Sequence, residues 1–239
     1  MRAAYFDVDG TLVGTNLLHP TLKYLMTTAS PIESVRRVLG AALDAPSLVA
    51  AELKDRKLFN ERLFFHFKGM SQDRMEFLSD EVFDTVIRPR IFRGTGELVE
   101  QCRSAGLRII LVTGSLACTV APLAAHLGAD QVIANRLEYK EGYATGRLMR
   151  PVVAGPEKAR IMVADARERG IDLAGSHAYS DSFSDVPMLS LVGHPFCINP
   201  DAKLAKLARS YHWSILDIDR PTPGEQGVSR RRKAFGFFG

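Results

Sequence analysis

The stretch Ala3-Ala4-Tyr5-Phe6-Asp7-Val8-Asp9-Gly10-Thr11 opens the chain and decides its fold class. Its first four residues are apolar, which predicts a short buried strand. The following Asp-Val-Asp-Gly segment predicts the turn that ends this strand, because aspartate and glycine favour turns. The chain therefore begins with a strand whose far end carries two carboxylates.

Further strands and helices alternate along the second half of the chain. The unbroken apolar run Leu107–Val112 is typical of a parallel strand covered on both faces. Other predicted elements are helices over Gly96–Ser104, Thr119–Leu127, Pro156–Arg169 and Asp201–Arg209, a hairpin over Gln131–Leu148, and strands at Ala178–Tyr179, Phe196–Ile198 and Trp213–Ile218. This alternation predicts an α/β fold with a doubly wound, mostly parallel sheet of the Rossmann type.

A helical insertion separates the first strand from the rest. From Leu17 to Ile87 apolar residues recur three and four positions apart, as at Leu63 and Phe67, which predicts helices with one apolar face. We therefore predict a catalytic core in two pieces (1–14 and 88–219) and a helical cap (15–87). Residues 220–239 carry prolines and glycines without periodicity, which predicts a disordered basic tail.

The charge of the chain lies in this tail. The formal net charge is +4, but the segment from Arg220 onward holds five basic residues and one acidic residue, so residues 1–219 are neutral. A neutral body argues against nucleic acid as a partner. The three cysteines form no C-x-x-C pair, and no signal peptide or run of 18 apolar residues is present, which favours a cytoplasmic protein.

Polar side chains follow the strands at the edge where parallel sheets bind ligands. Asp7 and Asp9 follow the first strand, and Thr113-Gly114-Ser115 follows the second. Asp181 and Asp185 follow a later strand, and Lys158 lies in the first turn of a helix. Each motif alone is compatible with a turn, a helix cap or a solvated lysine, but their joint occurrence in this order predicts one site.

The chemistry of these residues indicates phosphoryl transfer. Four neighbouring carboxylates repel each other, and a divalent cation relieves that repulsion. Ligands that are all oxygen favour Mg²⁺ over Zn²⁺. Lys158, Thr113 and the amides near Gly114 supply donors for an anion, so the set resembles the parts that transfer a phosphoryl group.

On these motifs the chain resembles the haloacid dehalogenase superfamily of phosphatases. It is most similar to the branch with a helical cap after the first motif, which includes phosphoserine phosphatases. The resemblance implies that Asp7 is the nucleophile and Asp9 the general acid and base. It further implies that Thr113, Gly114 and Lys158 bind phosphate. Mg²⁺ would be bound by Asp7, Asp181 and the Asp9 backbone carbonyl, with support from Asp185.

The chain departs from phosphoserine phosphatases at Asn16, where those enzymes carry a glutamate that binds the substrate amine. An amide offers a dipole where the relatives offer a full negative charge, so we expect weak activity on phosphoserine. Arg62 in the helical cap is a candidate for holding a carboxylate or a second phosphate. The predicted substrate is a small phosphorylated metabolite that the sequence does not identify.

Two other functions are compatible with the same residues. The first is a phosphotransferase or mutase on the same fold, since Asp9 suits both reactions. The second is a phosphate-binding module without turnover that contacts a membrane through Arg230–Lys233 and the phenylalanines after it. The complete set of catalytic residue types disfavours the second.

Overall fold

A computed structural model of the chain describes residues 1–27 and 30–218. The predicted disordered tail, 220–239, lies outside the described residues. Eight strands are found in the part described: β1 (Ala3–Phe6), β2 (Arg108–Leu116), β3 (Gln131–Asn135), β4 (Leu137–Lys140), β5 (Tyr143–Leu148), β6 (His177–Ser180), β7 (His194–Ile198) and β8 (Ser214–Leu216).

Six of these strands form one parallel sheet in the order β3-β2-β1-β6-β7-β8. The first strand of the chain lies in the middle, where Ala4 pairs with Ile109 of β2 on one side and His177 of β6 on the other. Every pair of neighbouring strands in this sheet is parallel. The predicted fold class is confirmed.

Ten α-helices accompany the strands within the described ranges: α1 (Leu18–Met26), α2 (Pro31–Leu43), α3 (Ala45–Lys54), α4 (Arg56–Phe65), α5 (Gln72–Val82), α6 (Thr95–Ser104), α7 (Ala117–Leu127), α8 (Pro156–Arg169), α9 (Val186–Leu189) and α10 (Ala202–Tyr211). The first five, with a π-helix over Phe83–Ile87, follow β1 as a block that we call the inserted segment (18–87). No helix in the described ranges is long and apolar enough to cross a bilayer.

The predicted hairpin over Gln131–Leu148 is wrong in its first half. Gln131–Asn135 is β3, which pairs in parallel with β2, and the true hairpin is β4 with β5 around the turn at Glu141 and Gly142. The two segments are close in sequence and both are short enough for a hairpin strand, so local pattern did not separate them. The pairing partner of β3 lies some twenty residues upstream and is set by tertiary structure.

The β4–β5 hairpin bonds to the inserted segment. The Gly69 amide donates to the Ala144 carbonyl and the Ala144 amide donates to the Met70 carbonyl, both at 2.8 Å. The amide of Gln72 donates to the Gly142 carbonyl at 2.9 Å. The hairpin belongs to the predicted core piece 88–219, whereas its bonding partners belong to the predicted cap. The two predicted parts therefore contact each other through this hairpin. The domain boundaries themselves stay a prediction.

The central strand is buried on both faces, as its apolar run predicts. Ala4 and Phe6 belong to one hydrophobic cluster, and Ala3 and Tyr5 belong to the cluster on the other face. Successive side chains of a strand point to opposite faces, so four residues contribute to both layers of the core. The end of β1, and thus Asp7, is fixed by packing on both sides.

Candidate active site

Three neighbouring strands of the sheet end at the same edge and carry the predicted motifs there. Asp7 follows β1, and its amide donates to the Tyr179 carbonyl of β6 at 3.0 Å. Thr113 lies in the last part of β2, where the pairing with β3 shifts register between Val112 and Leu116. Asp181 follows β6. The fold therefore brings the three motifs to one place.

Lys158 joins two of the carboxylates. Its Nζ lies 2.7 Å from Asp7 Oδ1 and 2.8 Å from Asp185 Oδ2, and all three side chains are buried. The Ser180 hydroxyl donates to the same oxygen of Asp185 at 2.8 Å. Burial lowers the pKa of Lys158, but the carboxylates of Asp185 and Asp7 outweigh it, and the pKa lies above its ordinary value. The lysine is therefore a permanent cation at the site.

The pKa of Asp7 is set by several opposing effects. Burial raises its pKa, the Lys158 ammonium lowers it, and the nearby carboxylates raise it again, so that its pKa is about 7. Burial is the largest of these effects. The carboxylate therefore lacks enough positive charge around it to ionise as readily as in water.

The Thr11 hydroxyl connects Asp7 with Asp181. Its Oγ1 is 3.3 Å from Asp7 Oδ2 and 2.9 Å from Asp181 Oδ1, and it accepts a hydrogen bond from the Asp181 amide at 3.0 Å. The hydroxyl has one proton, and the shorter distance assigns it to Asp181. Burial raises the pKa of Asp181 to about 6. The buried carboxylate of Asp7 and the half-buried one of Asp181 thus lie within reach of one hydroxyl.

Gly10 leaves room for Asp181. Its φ of 87° is a backbone conformation that residues other than glycine rarely adopt. A Cβ added there would collide with the Asp181 carboxylate. The turn after Asp9 therefore needs glycine for both its backbone and its surroundings.

Asp9 has its own pair of partners. The Thr15 hydroxyl donates to its Oδ1 and the Ser115 hydroxyl donates to its Oδ2, both at 2.8 Å. A hydroxyl either donates or accepts, so these partners suit the ionised and the protonated carboxyl alike. Thr15 has no motif around it that identifies it from sequence, and Ser115 stood in a predicted motif without a role.

Residues 113–115 near the end of β2 run beside the end of β1, which carries Asp7, and we call them the cradle. Thr113 is buried, and its Oγ1 accepts a hydrogen bond from the Ser115 amide at 3.0 Å. The Gly114 carbonyl accepts a 2.8 Å hydrogen bond from the Asn135 side chain. Asn135 was missed by the sequence analysis, because an asparagine at a strand end carries no local signal of its partner.

The two predicted specificity residues are exposed, and each already has bonding partners of its own. Asn16 is exposed, and its Oδ1 accepts hydrogen bonds from the Leu18 and His19 amides at the start of α1. Arg62 is exposed and forms an ion pair with Asp44 at 3.2 Å. In this arrangement Asn16 caps a helix and Arg62 is already paired, so a role in substrate binding stays a prediction for both.

A cavity of about 300 Å³ lies between α5 and the end of β3. Its wall includes Leu116 and Ala117, directly after the cradle, together with Asn135. Gln72 and Glu76 line it from α5, in the inserted segment. The inserted segment and the sheet therefore enclose space beside the cradle.

Comparison with known proteins identifies the family. The model of haloacid dehalogenase-like hydrolases matches residues 4–190. The chain is 34% identical over 217 residues to phosphoserine phosphatase SerB1 of Mycobacterium tuberculosis, covering 90% of this chain and 70% of that protein. The chain belongs to the haloacid dehalogenase-like hydrolase family. It is a hydrolase of the phosphatase type, as the motifs predicted.

Solved structures agree with this fold. A protein of unknown function from Bordetella pertussis Tohama I is 27% identical, with a TM-score of 0.77 over 90% of this chain and 98% of that chain. A phosphoserine phosphatase structure with an analogue of the phospho-aspartyl intermediate has a TM-score of 0.66 at 20% identity, covering 91% of this chain and 93% of that one. The second likeness concerns the fold alone.

Proposed function

We propose that the chain hydrolyses a small phosphomonoester with Mg²⁺ through a phospho-aspartate intermediate on Asp7. The observation that carries this proposal is the contact of the buried Asp7 carboxylate with the Lys158 ammonium, at the strand end beside the cradle. A carboxylate, a fixed cation and hydrogen-bond donors for the phosphate oxygens are the groups that an in-line attack on phosphorus needs.

The charges of the site fit a divalent cation. Asp7, Asp181 and Asp185 are three carboxylates in a cluster with one ammonium, that of Lys158, so full ionisation leaves two negative charges. Asp7 and Asp181 both lie within hydrogen-bond distance of the Thr11 hydroxyl, and the side-chain atoms they offer are all oxygen, which suits Mg²⁺. The family resemblance implies Asp7, Asp181 and the Asp9 backbone carbonyl as the ligands of this cation, with Asp185 in support. Mg²⁺ bound there would neutralise charge on the phosphoryl oxygens.

The first step would transfer the phosphoryl group to Asp7. One carboxylate oxygen forms a bond to phosphorus while the ester P–O bond breaks, and Asp9 gives its proton to the departing alcohol oxygen. Lys158 favours the ionised, nucleophilic form of Asp7, and the cradle with Thr113 would hold the phosphate oxygens.

The second step would hydrolyse the phospho-aspartate and regenerate the free enzyme. Asp9, now ionised, takes a proton from water, whose oxygen bonds to phosphorus as the bond to Asp7 breaks. Asp9 must donate a proton in one step and accept one in the next. Thr15 and Ser115 both donate to the ionised Asp9, and one of the two hydroxyls can turn to accept a hydrogen bond from Asp9 when it is protonated.

The substrate class rests on two supports that point in different directions. Relatives named phosphoserine phosphatase favour an amino-acid phosphate. Asn16 lacks the charge that would bind the substrate amine, and its carbonyl is engaged at the start of α1. We infer a small phosphorylated metabolite other than phosphoserine as the preferred substrate, handled in the cytoplasm, without nucleic acid and without a need for membrane contact.

A release assay tests the proposal. Purified chain is given Mg²⁺ and a panel of amino-acid, sugar, nucleotide and lipid phosphomonoesters, and inorganic phosphate is measured. Hydrolysis releases phosphate in step with the alcohol. Transfer of the group to a second added alcohol without phosphate release would instead identify the phosphotransferase or mutase alternative. Binding of phosphate without turnover of any ester would identify the membrane-associated binding module.

A further inference from the structure

Two carbonyl groups beside the cradle each receive hydrogen bonds from two asparagines. Asn135 Nδ2 lies 2.8 Å from the Gly114 oxygen and 3.1 Å from the Val153 oxygen. Asn60 Nδ2 approaches the same two oxygens, at 3.4 Å and 3.5 Å. Asn135 belongs to β3, whereas Asn60 belongs to α4 in the inserted segment. The two parts of the chain therefore meet on the same pair of acceptors.

Asn135 is the firmly bound partner. Besides its two donated bonds, its Oδ1 accepts a 2.8 Å hydrogen bond from the Val153 amide, and the side chain is buried. It thus ties the end of β2 to the loop before α8, the helix that carries Lys158. These contacts stay satisfied whether or not Asn60 is present.

Asn60 is bound far less well. Its two distances lie at the long limit for a hydrogen bond. Its Oδ1 is buried and has no hydrogen-bond partner among the described residues. Turning the amide over would place this oxygen against both carbonyls, so the surroundings permit one orientation. A buried acceptor without a donor weakens the contact, because in water it would be hydrated.

Asn60 nevertheless lies very close to the cradle, because Gly114 has no side chain. A Cβ added to Gly114 would lie 3.0 Å from Asn60 Nδ2, 3.4 Å from the Val153 carbonyl oxygen and 3.8 Å from Leu17 Cδ1. The glycine therefore allows α4 to cover the cradle. Asn60 is a well-placed but weakly held contact of the inserted segment.

We propose that Asn60 is a releasable latch by which the inserted segment closes over the cradle, and that Asn135 is the permanent clamp that keeps the cradle in shape when the latch opens. Asn60 is thus a positioning residue that acts through closure. The proposal rests on the proposed function for its kinetic effects. Its structural effects are independent of turnover.

Two substitutions at Asn60 separate the latch from a fixed structural role. Asn60→Ala removes the donor and leaves a gap, so closure weakens. Asn60→Leu has a similar size and shape, buries no unsatisfied acceptor, and leaves both carbonyls bonded to Asn135, so closure strengthens. We expect inorganic phosphate, used as the probe, to bind about fivefold more weakly to the alanine variant and more tightly to the leucine variant.

The kinetic pattern is equally specific. With p-nitrophenyl phosphate, Asn60→Ala should raise KM by about the same factor while kcat changes less. Asn135→Ala should instead lower kcat by about a hundredfold, because the cradle itself loses its shape. An unchanged KM and phosphate affinity in both Asn60 variants would overturn the latch, as would an Asn60→Ala effect confined to kcat.

Hydrogen exchange of α4 (Arg56–Phe65) tests the same proposal without any turnover. In the free chain, exchange should be faster than wild type in Asn60→Ala and slower in Asn60→Leu. Equal exchange in all three proteins would refute the latch. Failure of the proposed function would show differently, as a wild type that releases no phosphate while α4 still responds in opposite directions to the two substitutions.

Discussion

The ammonium of Lys158 lies 2.7 Å from the carboxylate of Asp7, and both groups are buried at the end of the central strand. Each needs the other, since a lone buried charge is strongly disfavoured. The pair nevertheless leaves Asp7 with a raised pKa of about 7, because burial exceeds the effect of the lysine. The ionisation of Asp7 thus depends on further positive partners.

Asp7→Asn should abolish turnover and leave the fold intact. Asparagine keeps the shape but provides no nucleophilic oxygen, and we expect phosphate release to fall by about a thousandfold or more. Far-ultraviolet circular dichroism should match that of wild type. As a control, Asp165→Asn removes a buried acid of α8 that bonds Arg169 and Gln131, and it should retain turnover. Substantial turnover in Asp7→Asn would rule out the covalent route.

Lys158→Met should damage both stability and activity. The change leaves the buried carboxylates of Asp7 and Asp185 without their shared cation, and breaking such a pair costs about 3–5 kcal/mol. Urea denaturation should show the loss, and kcat should fall with it. A variant that unfolds at the same urea concentration as wild type would contradict the geometry of the pair.

Mg²⁺ should stabilise the chain more at higher pH. Burial raises the pKa of Asp7 to about 7 and that of Asp181 to about 6, against ordinary values of 3.8. Between about pH 4 and 7 the folded, metal-free chain therefore binds more protons than the unfolded chain, and its free energy of unfolding falls as pH rises.

Mg²⁺ favours the ionised carboxylates, so its stabilising effect should grow across that same pH window. Thermal unfolding in excess chelator and in excess Mg²⁺, measured from pH 4 to 8, checks this expectation. If Mg²⁺ stabilised the chain equally at every pH, the metal would not be bound by the carboxylates of Asp7 and Asp181.

Gly10→Ala should abolish activity, and it should lower the free energy of unfolding by more than the unfavourable backbone conformation alone explains. A positive φ costs a side-chain-bearing residue about 1–2 kcal/mol. At Gly10 the new Cβ also displaces the Asp181 carboxylate. Gly106→Ala is a matched control, since Gly106 has a φ of 74° with no atom near its Cβ position. Thermal unfolding should show that both variants are less stable than wild type. Only Gly10→Ala should lose phosphate release.

Removal of residues 220–239 should leave turnover of a soluble monoester nearly unchanged. The charge of the chain is concentrated there, while residues 1–219 are neutral and contain every predicted site residue. Steady-state rates of the full and shortened chains provide the test. A large loss of rate would show that the tail contributes to the site, and a loss confined to substrates in anionic vesicles would indicate membrane contact.

Much of the site was predictable because its parts follow strands that local pattern identifies. The apolar run before Asp7 and the run before Thr113 predicted two strands, and the sheet brings their ends together. Pro156 marked the helix that carries Lys158, whose observed limits equal the predicted ones. Short-range patterns thus sufficed wherever a functional residue lies next to a strand end or a helix start.

The supporting residues were not predictable in the same way. Thr15, Asn60 and Asn135 act through hydrogen bonds to groups that are distant in sequence, and nothing adjacent to them signals this. The β3 strand was assigned to a hairpin because its true partner is not its sequence neighbour. Contacts that depend on tertiary placement leave no periodicity to detect.

The central position of β1 has a consequence for how the chain acquires its native state. This strand precedes both of its neighbours in the chain, yet Ala4 pairs with Ile109 and His177, which follow it by more than one hundred residues. Until both neighbours exist, an apolar segment stays without a sheet to join, and long-range closure of this kind slows folding. The strand that carries Asp7 therefore completes its pairing only after β6 has been made.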